Sequence, residues 1–184
     1  MKRPSRSAGH PMLRQSILVL LISIAAGLLA NALSPNGIPV VEEYFQIDLD
    51  RATPVVPPDA EVGDPPFIAL DLAVLDHHTD GAIFVDARSL EEFECGTIPG
   101  SINIPFEYMP EVDDLGPYFD SALGYTPKDT RLIVFCSGED CDLSLHLARN
   151  LQAYEYTDIA IFFGGSREWE KWGPGLERMA ECDE

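Results

Sequence analysis

Positive charge is scarce in this chain. Its 184 residues carry 12 Lys and Arg against 31 Asp and Glu, a net charge of −19. A nucleic-acid binder needs clustered cations to displace counterions from phosphates, and adhesion to an anionic membrane surface needs them too. Both classes are excluded for the acidic body. Cysteine is sparse as well, since four residues are too few for a disulfide-dense miniature fold. Aromatic residues make up only 9%, yet a 46% hydrophobic content excludes a wholly disordered chain. The length allows one domain of ordinary size plus an appendage, not two full domains. No internal repeat is visible.

Acid is missing altogether before Glu42, whereas the first 15 residues hold Lys2, Arg3, Arg6 and Arg14. Between the two charge regimes lies Ile17–Leu33, an uncharged apolar run. A basic flank followed by such a run reads as an export signal. As an uncleaved anchor it has the length to span a bilayer. As a signal peptide it offers Ala30-Asn31-Ala32 for cleavage. Either way the basic end stays in the cytoplasm and the acidic body faces outward. In a bacterium the chain is then a single-pass inner-membrane protein facing the periplasm, or a periplasmic protein if the signal is removed. Residues 34–66 hold Pro35, Pro39, Pro54, Pro57, Pro58, Pro65 and Pro66. Proline lacks the backbone donor and fixes φ, so this stretch reads as a semi-extended spacer, with Glu43–Leu49 as one short element within it. A domain at 67–178 and an acidic tail at 179–184 complete the organisation.

The domain alternates two patterns. Ala82–Val85, Ile102–Ile104, Leu132–Phe135 and Ile159–Phe163 are short apolar runs that suit buried strands. Leu70–Leu75 reads as a short helix. Asp142–Gln152 reads as another, with Leu143, Leu147 and Leu151 recurring every four residues. Strand–helix alternation predicts an α/β fold, with a mostly parallel sheet covered by helices. Ligands of such sheets bind at the carboxyl ends of the strands, which is where Cys136 falls. A thiol is nucleophilic only as thiolate. The unpaired amides of a loop that opens a helix favour that charge, or a persulfide anion one sulfur further out. Ser137 and Gly138 are small enough to let the loop curl around the sulfur. The competing reading is a buried structural cysteine.

Three stretches in order carry a resemblance. They are Asp86-Ala87-Arg88 with Glu91-Glu92-Phe93 and Gly96–Pro105, then the strand ending in Cys136 with its loop and helix, then Gly164-Gly165 with Trp169. Over roughly Phe67–Leu176 the chain resembles the rhodanese-like sulfurtransferase domains, and its export segment and spacer resemble membrane-tethered bacterial members. The resemblance implies a central, mostly parallel sheet of about five strands flanked by helices. It also implies a two-step reaction: the Cys136 thiolate takes the outer sulfur of a sulfane-sulfur donor as a persulfide, and a thiol acceptor removes it. It calls for no metal and no organic cofactor. Asp86 and Arg88 are expected to order the loop or pair with Glu92, and Ser144 to support it from the helix.

The chain departs from the family pattern at two points. The family loop commonly carries a basic residue just before the helix serine. Here Ser137, Gly138, Glu139, Asp140, Cys141 and Asp142 follow Cys136, the loop is about two residues longer, and it holds no cation. The acids repel an anionic donor and raise the thiol pKa, so a neutral or protein-bound persulfide suits the loop better than thiosulfate. The length is similar to that of the related cell-cycle phosphatases, but phosphate binding there needs an Arg at the loop's end, which is absent. Thr97 stands where members often have His, a change expected to alter local packing only. Cys141 could form a disulfide with Cys136 or resolve its persulfide, or simply pack under the helix start. A zinc site of Cys136, Cys141 and His146 is disfavoured by the place of His146 in the helix. Cys95 and Cys182 read as bystanders, with an oxidised pair as the alternative, and the sequence chooses among no disulfide pairings. His77 and His78 read as helix-end caps, and Trp169 and Trp172 as packing of the last helix. Two other functions remain open: a non-catalytic binding module of the same fold, and a thiol–disulfide redox protein using Cys136 and Cys141.

Overall fold

The computed structural model describes residues 11–33, 53–79, 81–180 and 182. The possible element at Glu43–Leu49 lies outside them. The chain divides into two units, residues 1–44 and 45–184. In the first, helix α1 runs Pro11–Leu33. Among the described residues no helix is long and apolar enough to cross a membrane; the described side chains of α1 are those of Gln15–Gly27, Leu29 and Ala30.

The second unit contains α2 (Leu70–His78), β1 (Ile83–Asp86), α3 (Leu90–Cys95), β2 (Ile102–Asn103), a 3-10 turn at Phe106–Tyr108, α4 (Gly116–Ala122), β3 (Leu132–Phe135), α5 (Leu143–Ala153), β4 (Ile159–Phe162) and α6 (Gly165–Trp172). The strands form one sheet in the order β2-β1-β3-β4. All three pairings are parallel. The sheet therefore has four strands where about five were expected. The remaining extended piece, at Phe67, makes only an isolated parallel bridge to Ile161.

Alternation along the strands sorts the core into two layers. Val85, Leu132, Val134, Cys136, Ile159 and Ile161 face one side, against Phe119 of α4 and Leu145, Leu147, Ala148 and Leu151 of α5. Phe84, Ile133, Phe135, Ala160 and Phe162 face the other, against Leu70, Ala73 and Val74 of α2 and Trp169 of α6. The buried stripe of α5 includes Ser144 and Leu145, whereas Leu143 is only half-buried. Trp169 is fully buried, whereas Trp172 is 43% exposed.

Part of the Pro-rich stretch lies along the domain. Arg149 of α5 pairs with Asp64 at 2.7 Å and also donates to the Asp59 carbonyl. Gln152 donates to the Gly63 carbonyl. At the other end, Thr97 and Glu177 bridge antiparallel, and the Met179 and Ala180 amides donate to the Glu94 carbonyl. Cys95 and Cys182 are disulfide-bonded, so they are not bystanders. The bond joins Cys182, within the expected acidic tail, to the end of α3.

Candidate active site

Cys136 follows directly on the fully buried strand β3, at the carboxyl edge of the sheet. Parity places its side chain on the α5 side of the sheet. The loop that follows is closed by a turn in which the Cys141 amide donates to the Gly138 carbonyl at 2.9 Å. α5 then starts at Leu143, with Asp142 as its cap residue.

The loop is held from behind by α6. The orphan amides of a helix's first turn need acceptors. Here Ser166 and Arg167 donate theirs to the carbonyls of Cys136 and Ser137, at 2.9 and 3.1 Å. Gly165 allows that approach. Its φ is +63°, and a Cβ there would lie 2.3 Å from the Cys136 oxygen. The glycine pair that ends the last apolar run of the sequence is thus also the clasp of the loop.

Both loop cysteines are free. Cys136 is buried, at 0% exposure. Its thiol donates to the Cys141 carbonyl at 2.8 Å and receives the Ser144 hydroxyl at 3.6 Å. The Cys141 sulfur first, and burial second, push the Cys136 pKa well above the usual thiol value. The rise was expected, but the loop acids are not its cause. Cys141 is half-buried. The Cys136 thiol pulls its pKa down to about 6, against burial, helped by the Ser137 and Leu143 amides and the Ser137 hydroxyl. The expected ring of amides is thus shared unequally. The Gly138 amide serves Cys136, while more donors serve Cys141. Cys136, expected as a reachable thiolate, is buried, with burial and the Cys141 sulfur both opposing its charge.

The missing loop cation comes from α6. Arg167 pairs with Asp140 at 2.9 Å, and the charges of Cys141 and Cys136 help raise its pKa, behind the larger effect of Asp140. Glu139 and Asp142 remain exposed at the mouth. Asp142 pairs with His146 at 3.2 Å, and the His146 ring stacks on Phe106.

Asp86 and Arg88 sit next to the loop rather than in it. Arg88 donates to Asp86 through Nε and Nη2, at 2.9 and 2.6 Å, and through Nη2 to the Gly96 carbonyl at 2.7 Å. Burial opposes the Arg88 charge, but Asp86 outweighs it and holds the pKa above its usual value. Arg88 thus pairs with Asp86 and not Glu92, whose amide is capped by Ser89. Thr97 does more than pack, because its hydroxyl donates to Asp86 at 2.8 Å. His77 does not cap its helix; it meets the Pro99 carbonyl at 2.9 Å and the Trp169 ring edge-on.

A parallel sheet with a two-thiol loop on its central strand, clasped by a glycine turn, defines an α/β protein with a cysteine centre. The rhodanese-like domain model matches residues 72–171, and the chain belongs to that family. The thiosulfate:glutathione sulfurtransferase of Homo sapiens is 36% identical over 89 residues, which are 46% of this chain and 75% of the human protein. The protein of the same name from Saccharomyces cerevisiae is 26% identical over 104 residues, 54% of this chain and 73% of the yeast protein. Among solved structures, a human single-domain sulfurtransferase is 24% identical with a TM-score of 0.45, over 55% of this chain and 92% of that one. A thiosulfate sulfurtransferase from Pseudomonas aeruginosa is 26% identical with a TM-score of 0.46, over 60% of this chain and 19% of that one. Family membership and the curated relatives support sulfurtransferase activity in this chain.

Proposed function

We propose that this chain carries sulfane sulfur as a persulfide on the loop Cys136–Asp142 and passes it to a thiol acceptor. The observation that carries this reading is the pair of free cysteines on one loop at the end of β3, the Cys136 thiol donating to the Cys141 carbonyl. The donor class follows from charge. Arg167 offsets only Asp140, so Glu139 and Asp142 still disfavour a dianion. A low-molecular-weight or protein-bound persulfide is the better donor, and thiosulfate the poorer one. Cys136 is the carrier that the family pattern points to, and Cys141 is the second sulfur able to hold the load.

The reading is tested by intact mass after incubation with glutathione persulfide. The wild type is expected to gain one sulfur that cyanide removes, and the double variant Cys136→Ala, Cys141→Ala to gain none. No gain in the wild type, with a Cys136–Cys141 disulfide that titrates at a defined potential, replaces this reading with thiol–disulfide exchange. Neither result leaves a binding module.

We further propose that the domain works on the outer side of a membrane. Two observations support this: the sign of charge flips across the apolar segment, and the Cys95–Cys182 bond suits an oxidising compartment. A membrane-impermeant biotinylating reagent applied to intact cells should label the domain; labelling only after lysis refutes this placement.

A further inference from the structure

We infer that Arg167 and Asp140 together select the sulfur donor by its charge: Arg167 is the cation that an anionic donor meets at the loop, and Asp140 is the residue that withholds it. This inference rests on the sulfur-transfer reading above and assigns the residues that set its donor preference. Arg167 belongs to α6, yet it is tied to the loop at three points. Its amide donates to the Ser137 carbonyl at 3.1 Å. Its stem lies across Gly138, where a Cβ would sit 3.7 Å from Cδ and 3.9 Å from Cβ of Arg167. Its Nη1 donates to both carboxylate oxygens of Asp140 at 2.9 Å. The guanidinium is therefore anchored over the segment between Cys136 and Cys141, and both members of the pair are exposed, open to an arriving donor. The other charged groups of the site do not duplicate it. Arg88 is locked to Asp86 and the Gly96 carbonyl. Glu139 is an acid, and so is Asp142, which faces His146. Among the described residues no other Lys or Arg is bonded to the loop.

The two donor classes need that cation to different degrees. With thiosulfate, the Cys136 thiolate attacks the outer sulfur; a new S–S bond forms on the enzyme, the donor S–S bond breaks, and its electron pair leaves on sulfite. Two donor charges and the thiolate then share the mouth with Glu139 and Asp142. With a persulfide R–S–SH, the same attack forms the enzyme persulfide and releases R–S⁻, and the reacting sulfurs carry the thiolate charge alone. Neither step needs an oxidant or a reductant. Repulsion between like charges grows with each charge added, so an unmasked Arg167 favours the dianion far more than the persulfide. With Asp140 cancelling it, the resting site favours the persulfide.

The test uses the full chain with its Cys95–Cys182 bond intact and reads the ratio of two loading rates, thiosulfate over glutathione persulfide, as cyanide-removable sulfur. Asp140→Asn unmasks Arg167 and should raise the ratio at least tenfold. Glu139→Gln removes one charge from the same loop without freeing Arg167, and should raise it less than threefold. Arg167→Gln should lower the ratio, and the double variant Asp140→Asn, Arg167→Gln should match Arg167→Gln alone, because the gain requires the arginine. A pair that only braces the loop would slow both donors together and leave the ratio unchanged in every variant, which overturns the inference. It is equally overturned if Glu139→Gln gains as much as Asp140→Asn, or if the gain survives in the double variant. Asp140→Ala repeats the measurement where the Asn variant fails to fold. No sulfur from either donor on any form is a different result, and it removes the sulfur-transfer reading itself.

Discussion

Asp86 shows how much one buried carboxylate demands of its neighbours. It is fully buried and is met by Arg88 and by the Thr97 hydroxyl. A buried ion pair recovers its desolvation cost only when the remaining lone pairs are also bonded. Thr97→Val keeps the shape and removes one such bond, so it should destabilise the domain by about 1.5–3 kcal/mol, read as a lower midpoint in urea. An unchanged midpoint would return Thr97 to the packing role its position in the sequence invites. Cys141 makes a prediction of the opposite kind. Its folded pKa lies near 6, below the unfolded thiol value of about 8.5. The unfolded chain therefore binds the extra proton between those values, and stability should rise with pH across that window. The contribution is complete above about pH 8.5 and is lost as pH falls through 6. Cys136 is raised and acts in the opposite sense, but only above the ordinary thiol value. Urea titrations from pH 6 to 8.5 should show the rise in the wild type and lose it in Cys141→Ser.

The joint between loop and α6 is where element geometry governs chemistry. Gly165 has to be a glycine, both for its positive φ and for the 2.3 Å a Cβ would leave to the Cys136 oxygen. Gly165→Ala should push the loop off the α6 amides, cutting sulfur loading at least tenfold, while Trp169 fluorescence and far-UV dichroism stay near wild type. Loading at the wild-type rate would mean that the clasp does not position the loop. The strands and α5 were legible in the sequence because their periodicity is a backbone property. Leu132–Phe135 lies buried on both faces, and Cys136 follows it whatever the surroundings. The state of the thiols was not legible. Cys136 and Cys141 are five residues apart, and which one keeps its proton depends on where the Ser137 and Leu143 amides point after the loop closes. Arg167 was hidden for a related reason. It lies 27 positions beyond Asp140 and reaches the loop only because β4 and α6 fold back beside β3. The 3-10 turn and α4 lack apolar periodicity over a long enough window to announce themselves.

For the molecule as a whole, the most distant constraint is the Cys95–Cys182 bond, which closes a sequence separation of 87 residues. That loop contains β2, β3, β4 and every residue of the thiol centre, so the bond restricts nearly the whole unfolded domain. Loop-closure entropy for such a length gives roughly 4–5 kcal/mol at most, and measured bonds commonly contribute about 2–4 kcal/mol. The strap it secures also carries the Thr97–Glu177 bridge and the Met179 and Ala180 hydrogen bonds to Glu94. Thr97 in turn holds Asp86, one residue before the turn to Arg88. Cutting the bond should therefore lower global stability first and loosen the strap, leaving the loop clasp of α6 in place. Cys182→Ser is expected to lose about 2–4 kcal/mol in urea unfolding while retaining sulfur loading at a temperature where it remains folded. Hydrogen exchange should quicken at Thr97, Glu177 and Met179 and stay slow at Ser166 and Arg167. Equal acceleration at both sets would mean that strap and clasp open as one unit, and the bond would then control access to the thiols as well as stability.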